Sequence, residues 1–151
     1  MEIREFALIT FTILVQMSIG SFWVMGVVHY YAARKFDNEA ADQMSDRALI
    51  AQVPVIALAF LASLLHLGNP LNAYRAVTNL GSSWLSREIF FGVTFAILAT
   101  LFAFLQWRKI GSFVLRRVIA SLAALVGVVM VYSMASVYLV DAQPAWNTWV
   151  T

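Results

Sequence analysis

His66 and Glu88 stand at facing ends of two apolar runs, in a chain whose other long stretches suit lipid. His66 closes the run Ile50 to Leu67, and Glu88 opens the run Ile89 to Phe104. An imidazole and a carboxylate are complementary proton carriers, and an ionisable group beside hydrocarbon is costly enough to be read first as functional. On one membrane face, the pair suits a site that handles protons together with electrons. Each residue also has a plainer reading. An acid in the first turn of a helix is favoured by the helix dipole whatever its function, and a histidine is tolerated at the headgroup boundary.

The elements that must position these two residues follow from composition. The chain is 62% hydrophobic and only 12% charged, with mean hydropathy +0.79. A bilayer span takes about 20 apolar residues. Phe6 to Tyr31, Ile50 to Leu67, Ile89 to Trp107 and Val118 to Val140 meet or approach that length. Backbone in lipid must satisfy its own hydrogen bonds, so runs of this length form helices. The expected fold is an all-α membrane protein: one transmembrane domain over residues 1–151, a bundle of four transmembrane helices with a short interfacial helix between the second and third. The spans are expected to run without an internal proline break. The first run is expected to be retained rather than cleaved, because its leader Met1-Glu2-Ile3-Arg4-Glu5 is net acidic. The pI of 9.2 does not argue for nucleic acid, since the basic residues flank the spans. The absence of cysteine excludes a disulfide, a thiolate nucleophile and a cysteine-ligated iron–sulfur cluster from these residues.

Lys and Arg set the expected orientation. Arg34, Lys35 and Arg47 follow the first span, and Arg108, Lys109, Arg116 and Arg117 follow the third, which puts seven of the ten basic residues on one side. The positive-inside rule makes that side cytoplasmic and places the N-terminus, His66, Glu88 and the tail from Asp141 outside. Trp84, Trp146 and Trp149 suit an outer aromatic belt, and Tyr30, Tyr31 and Trp107 an inner one. The acidic stretch Asp37 to Asp46 reads as a solvated connector that dilutes the basic loop.

The segment between the two site residues has its own grammar. Asn69 suits an N-cap and Pro70 a first helical residue, while Leu71, Tyr74, Val77 and Leu80 recur at helical spacing. Gly81 offers a left-handed stop, and Ser83 or Ser86 a cap for the third span. The segment reads as a short amphipathic helix at the interface, with Asn72, Arg75 and Asn79 open to water or a partner. Thr12, Gln16 and Gly20 on the first helix, and Ala120, Ala124 and Gly127 on the fourth, read as packing stripes. Met17, Met25, Met130 and Met134 read as gap-fillers rather than a metal set. Haem between two histidines is excluded, because His29 and His66 sit at opposite ends of helices that cross a core of about 30 Å.

The stretch His66-Leu67-Gly68-Asn69-Pro70-Leu71-Asn72-Ala73 resembles the His-Leu-Gly-Ser-Pro-x-x-Ala signature of the membrane-anchor subunit of respiratory dimethyl sulfoxide reductases. Leu85-Ser86-Arg87-Glu88-Ile89 resembles that family's Leu-Ser-x-Glu-Ile. Phe11-Thr12 with Gln16, Gly20 and Phe22 is similar to its first helix, and Tyr138, Asp141, Pro144 and Trp146 to the segment after its fourth. Asn69 replaces the usual Ser and keeps an N-cap. Such anchors continue into further helices, so residues 1–151 are expected to represent an N-terminal half. The resemblance implies a multi-pass protein of the bacterial inner membrane that oxidises menaquinol and passes electrons to an iron–sulfur subunit and a molybdopterin catalytic subunit. His66 and Glu88 would then accept the quinol protons, with Tyr74 and Arg75 beside the ring. Asn69, Asn72, Arg75 and Arg87 would face the iron–sulfur partner. Three other readings stand beside it: an anchor of the polysulfide or nitrite reductase type, a purely structural anchor, and a proton-relay transporter. The last prefers ionisable groups near mid-membrane and interrupted helices.

Overall fold

The computed structural model describes residues 3–66, 74–75 and 77–139, apart from the side chains of Arg4 and His66. Four helices follow one another: α1 (Ile3–Lys35), α2 (Asn38–His66), α3 (Trp84–Trp107) and α4 (Phe113–Val137). All four are long and apolar enough to cross a membrane, and no strand occurs among the described residues. The chain is an all-α membrane protein built on a four-helix transmembrane bundle. α3, the shortest at 24 residues, still spans about 36 Å at 1.5 Å per residue, more than the hydrocarbon core.

α1 packs on α2 and α3 on α4, and the two hairpins meet in a thin core. Val15, Phe95, Ala123 and Met130 lie at its centre with almost no exposure. Phe22 sets the edge of its ring against Phe95 and Phe102, which joins α1 to α3. Small residues allow the closest approaches. A Cβ on Gly127 would lie 3.0 Å from Ile19 Cγ2, and one on Gly92 would lie 2.8 Å from Met130 Cε. Most large apolar side chains, such as Ile13, Leu58, Ile97 and Leu125, face outward, as expected where lipid is the solvent.

Several expectations need correcting. The stretch after Asp37 is not a connector. Asp37 Oδ1 accepts from the Ala40 backbone N–H at 2.7 Å, and α2 starts at Asn38, well before the apolar run. Pro54 lies inside α2, so that span does contain a proline. The ring removes one donor from the ladder, a loss that a transmembrane helix packed on neighbours tolerates. The stripe Thr12, Gln16, Gly20 is not the packing face of α1. Gln16 and Gly20 are exposed, and the buried stripe is Ala7, Phe11, Val15, Ser18, Ile19 and Phe22. Met17 is likewise exposed, whereas Met130 and Met134 are buried as anticipated. On α4 the expected stripe holds, with Gly127 buried and Ala120 and Ala124 packed against the core.

Ser83 caps α3, its side chain accepting from the Ser86 backbone N–H. Of the expected interfacial helix, Asn69 to Ala73 and Ala76 lie outside the described residues. Tyr74, Arg75 and Val77 are in 3₁₀ turns and hydrogen-bonded turns follow to Ser82, so the described residues do not show that helix. Gly81 does not take the left-handed conformation; among the described residues the positive-φ ones are Lys109 and Gly111.

Candidate functional site

The up-and-down course of the helices sorts the polar residues between two ends. At one end α1 finishes, α2 begins, and α3 turns into α4. His29 Nδ1 lies 3.1 Å from Ser45 Oγ, and Lys109 Nζ donates to Asp42 Oδ2 and Asp46 Oδ2 at 2.8 Å each. Gln106 Nε2 donates to Asp42 Oδ1 at 2.9 Å and to Asp46 Oδ1 at 3.1 Å. Burial lowers the Lys109 pKa, but the hydrogen bonds and charges of Asp42 and Asp46 outweigh it, leaving the ammonium above its ordinary value.

At the other end α2 stops at His66 and α3 starts at Trp84, so the backbone brings His66 and Glu88 to the same end of the bundle. His29, held against Ser45, lies roughly 30 Å along α2 from His66, too far for the two to share one metal. Glu88 continues the buried face of α3 that runs through Gly92, Phe95, Ala99 and Ala103. It is 9% exposed and therefore points into the bundle rather than out from a solvated first turn. No described residue hydrogen-bonds or ion-pairs with its carboxylate. A carboxylate placed this way calls for a donor from outside the described set.

The other candidates differ in how free they are. Arg87 is engaged internally: Nε donates to the Leu80 carbonyl and Nη2 to that of Gly81, each at 2.8 Å, and the guanidinium lies 4.2 Å over the Trp84 ring. Trp84 in turn sets its edge on Tyr132, tying the start of α3 to α4. Arg87 thus holds the connector against α3. Arg75 and Tyr74 are both exposed, with Arg75 Nε 3.3 Å from Tyr74 Oη. Asn69 and Asn72, expected at the docking face, lie outside the described residues, as does the tail from Asp141.

Three polar features escaped the sequence reading. Gln52, in mid-α2, is buried and donates to the Ser18 carbonyl of α1. A glutamine inside an apolar run was the available signal. Gln106 gave a similar signal, but its partners become visible only in the fold. Arg116 is the third: its Nε and Nη1 are shielded from water and have no hydrogen-bond partner among the described residues.

Comparison with known proteins bears on this arrangement as a whole. The family model described as DMSO reductase anchor subunit (DmsC) matches residues 1–151. The C subunit of anaerobic dimethyl sulfoxide reductase from Haemophilus influenzae is 28% identical over 97% of this chain and 51% of its own length. The YnfH subunit of an anaerobic dimethyl sulfoxide reductase from Escherichia coli is 31% identical over 98% of this chain and 51% of its own. The C subunit from E. coli is 31% identical over 95% and 49% respectively. The chain therefore spans about half the length of the curated relatives it matches. No solved structure matches it.

Proposed function

The chain belongs to the DMSO reductase anchor subunit family, and from that premise we propose that its His66–Glu88 end binds and oxidises menaquinol. Quinol oxidation to quinone releases two electrons and two protons. The neutral imidazole of His66 accepts a hydrogen bond from one ring hydroxyl and takes its proton; Glu88, directly or through a water, takes the other. Tyr74 and Arg75 border the site. The electrons leave for a cluster in an iron–sulfur subunit, because this cysteine-free stretch offers no thiolate to hold one. A molybdopterin subunit completes the complex and reduces the terminal acceptor. The protein sits in the bacterial inner membrane with its N-terminus outside.

The observation that carries this reading is Glu88. A buried, inward-facing carboxylate without a described partner, one turn inside α3 and at the end where α2 terminates in His66, supplies a proton acceptor beside the hydrocarbon. A relay across the membrane is less well supported. Pro54 and Gln52 do interrupt the apolar character of α2, but Gln52 is already bound to the Ser18 carbonyl of α1.

The test uses the full-length anchor in its complete complex. His66→Ala and Glu88→Gln should leave the complex assembled and able to reduce substrate from an artificial dye. Quinol-driven reduction should fall by about 10²-fold or more, the usual scale for losing a positioned acid–base group. Equal loss of both activities would show that the residues serve assembly instead.

A further inference from the structure

A groove of about 640 Å³ lies between α1 and α4 at the opposite end of the bundle from Glu88. Its apolar lining includes Phe22, Met25, Phe102, Ala120 and Ala124, with the exposed Phe113 at the start of α4. Trp23 closes the mid-membrane end by donating from Nε1 to the Ala124 carbonyl at 3.2 Å. Its mouth carries two cations, Arg116 and Arg117 near the start of α4, beside His29 of α1. Tyr30 and Tyr31, both exposed, stand at the same rim, where amphipathic rings mark the headgroup level.

Arg116 is the informative residue. Two of its guanidinium nitrogens are buried without a hydrogen-bond partner among the described residues. Arginine is always charged, and its planar fork matches two oxygens of a phosphate or carboxylate. Leaving those donors shielded and unmet is unfavourable; because Arg116 also lines the open groove, turning its guanidinium into the groove would exchange that position for an acceptor placed there. Asp42, also on the wall, is not that acceptor: its carboxylate is taken up by Lys109 and Gln106. A free anion would satisfy the arginine but would leave the apolar wall unfilled. We propose that the groove binds an anionic phospholipid, its phosphate on Arg116 and an acyl chain along Phe22, Phe102 and Ala120. The charge complementarity and the amphipathic rim both fit a lipid seated at one leaflet, whichever way the protein is oriented. The inference does not depend on the quinol reading.

The test takes the complete complex, with full-length anchor, in mild detergent. Native mass spectrometry would follow retention of added dioleoyl phosphatidylglycerol against an equal amount of dioleoyl phosphatidylcholine. The wild type should retain phosphatidylglycerol in preference. Arg116→Gln should weaken that retention about tenfold, the worth of a charged hydrogen bond. Arg108→Gln, at an exposed arginine stacked on Trp107 outside the groove, should not change it. Ala120→Phe, which fills the groove and leaves both arginines in place, should also displace the lipid and provides a check if Arg116→Gln fails to assemble. Equal retention of the two lipids, or an unchanged Arg116→Gln, overturns the proposal. So does displacement of the lipid by inorganic phosphate at comparable concentration, which would make the site one for a free anion. Crosslinks from position 120 to the rest of the anchor, with no lipid retained, would overturn it too by showing that protein fills the groove.

Discussion

Lys109 shows how one side chain can fasten a helical hairpin. Its backbone sits at φ 52, a left-handed conformation that costs a residue with a Cβ roughly 1 kcal/mol. The same turn directs its ammonium to Asp42 and Asp46 of α2, 2.8 Å away in each case. The Lys109 side chain is 44% exposed, so each pair counts at the level of a solvent-screened surface bridge, about 0.2–1 kcal/mol. Lys109→Met keeps the backbone strain and loses both pairs, and should lower stability by about 1 kcal/mol in thermal unfolding. Lys109→Gly loses the pairs but relieves the strain, and should be the milder change. The reverse order would show that the ion pairs contribute little. The pH dependence has a definite sign. A lysine whose pKa is raised on folding contributes its stability in full below its ordinary value near 10.4 and loses it as pH climbs through the folded value. Melting temperature in wild type should therefore gain nothing from Lys109 above that range, and the wild type and Lys109→Met should converge there.

At the scale of elements, packing rather than polarity selects the faces that meet. Gly127 on α4 receives Ile19 and Phe95, and a Cβ there would already sit 3.0 Å from Ile19. Gly127→Leu should overpack this contact and cost about 1–3 kcal/mol. Gly20 on α1 has nothing within 4 Å of a built Cβ, so Gly20→Leu should change stability by less than about 0.5 kcal/mol. A loss at Gly20 equal to that at Gly127 would mean that another helix packs on the outer face of α1. The same pair of glycines shows what the sequence made legible. Apolar run length is a local property, and it placed all four helices. Which stripe of α1 is buried depends on where α2 and, to a lesser degree, α4 lie, and polarity alone pointed to Thr12, Gln16 and Gly20. The start of α2 was hidden for a similar reason: Asp42 and Asp46 look like loop charges until Gln106, 64 and 60 residues away, is folded against them. At the candidate site, the residue types of His66 and Glu88 and their common end could be read from order along the chain. The inward rotation of Glu88 and the internal role of Arg87 could not, since both depend on the exact register of α3 on its neighbours. Pro54 and Gln52 were visible in the sequence, but the apolar residues around them masked their significance.

At the scale of the whole molecule, charge is divided between the ends of the bundle. The basic residues around the α1–α2 and α3–α4 turns gather at one end, and the candidate site lies at the other. On the proposed orientation, which rests on the positive-inside rule, the site end faces outward. If quinol is oxidised there as proposed, its electrons leave at that end, and the iron–sulfur partner is expected against the exposed Tyr74–Arg75 segment. Crosslinks to that segment, and none to residues 108–117, are the expected outcome; the opposite pattern would place the partner at the basic end. This arrangement has an energetic consequence. Protons from quinol would be released on the outer side, and a reductase on that same side would consume protons there. Electrons would not cross the membrane. The overall reaction is then electroneutral, with no charge moved against a potential worth about 2.3 kcal/mol per charge per 100 mV. Reconstituting the complete complex in sealed vesicles with quinol, terminal acceptor and a potential-sensitive dye measures this directly. Turnover should proceed with no dye response beyond that of an uncoupled control. A sustained potential on turnover would require charge to cross the bundle, and so would place either the orientation or the partner on the wrong face.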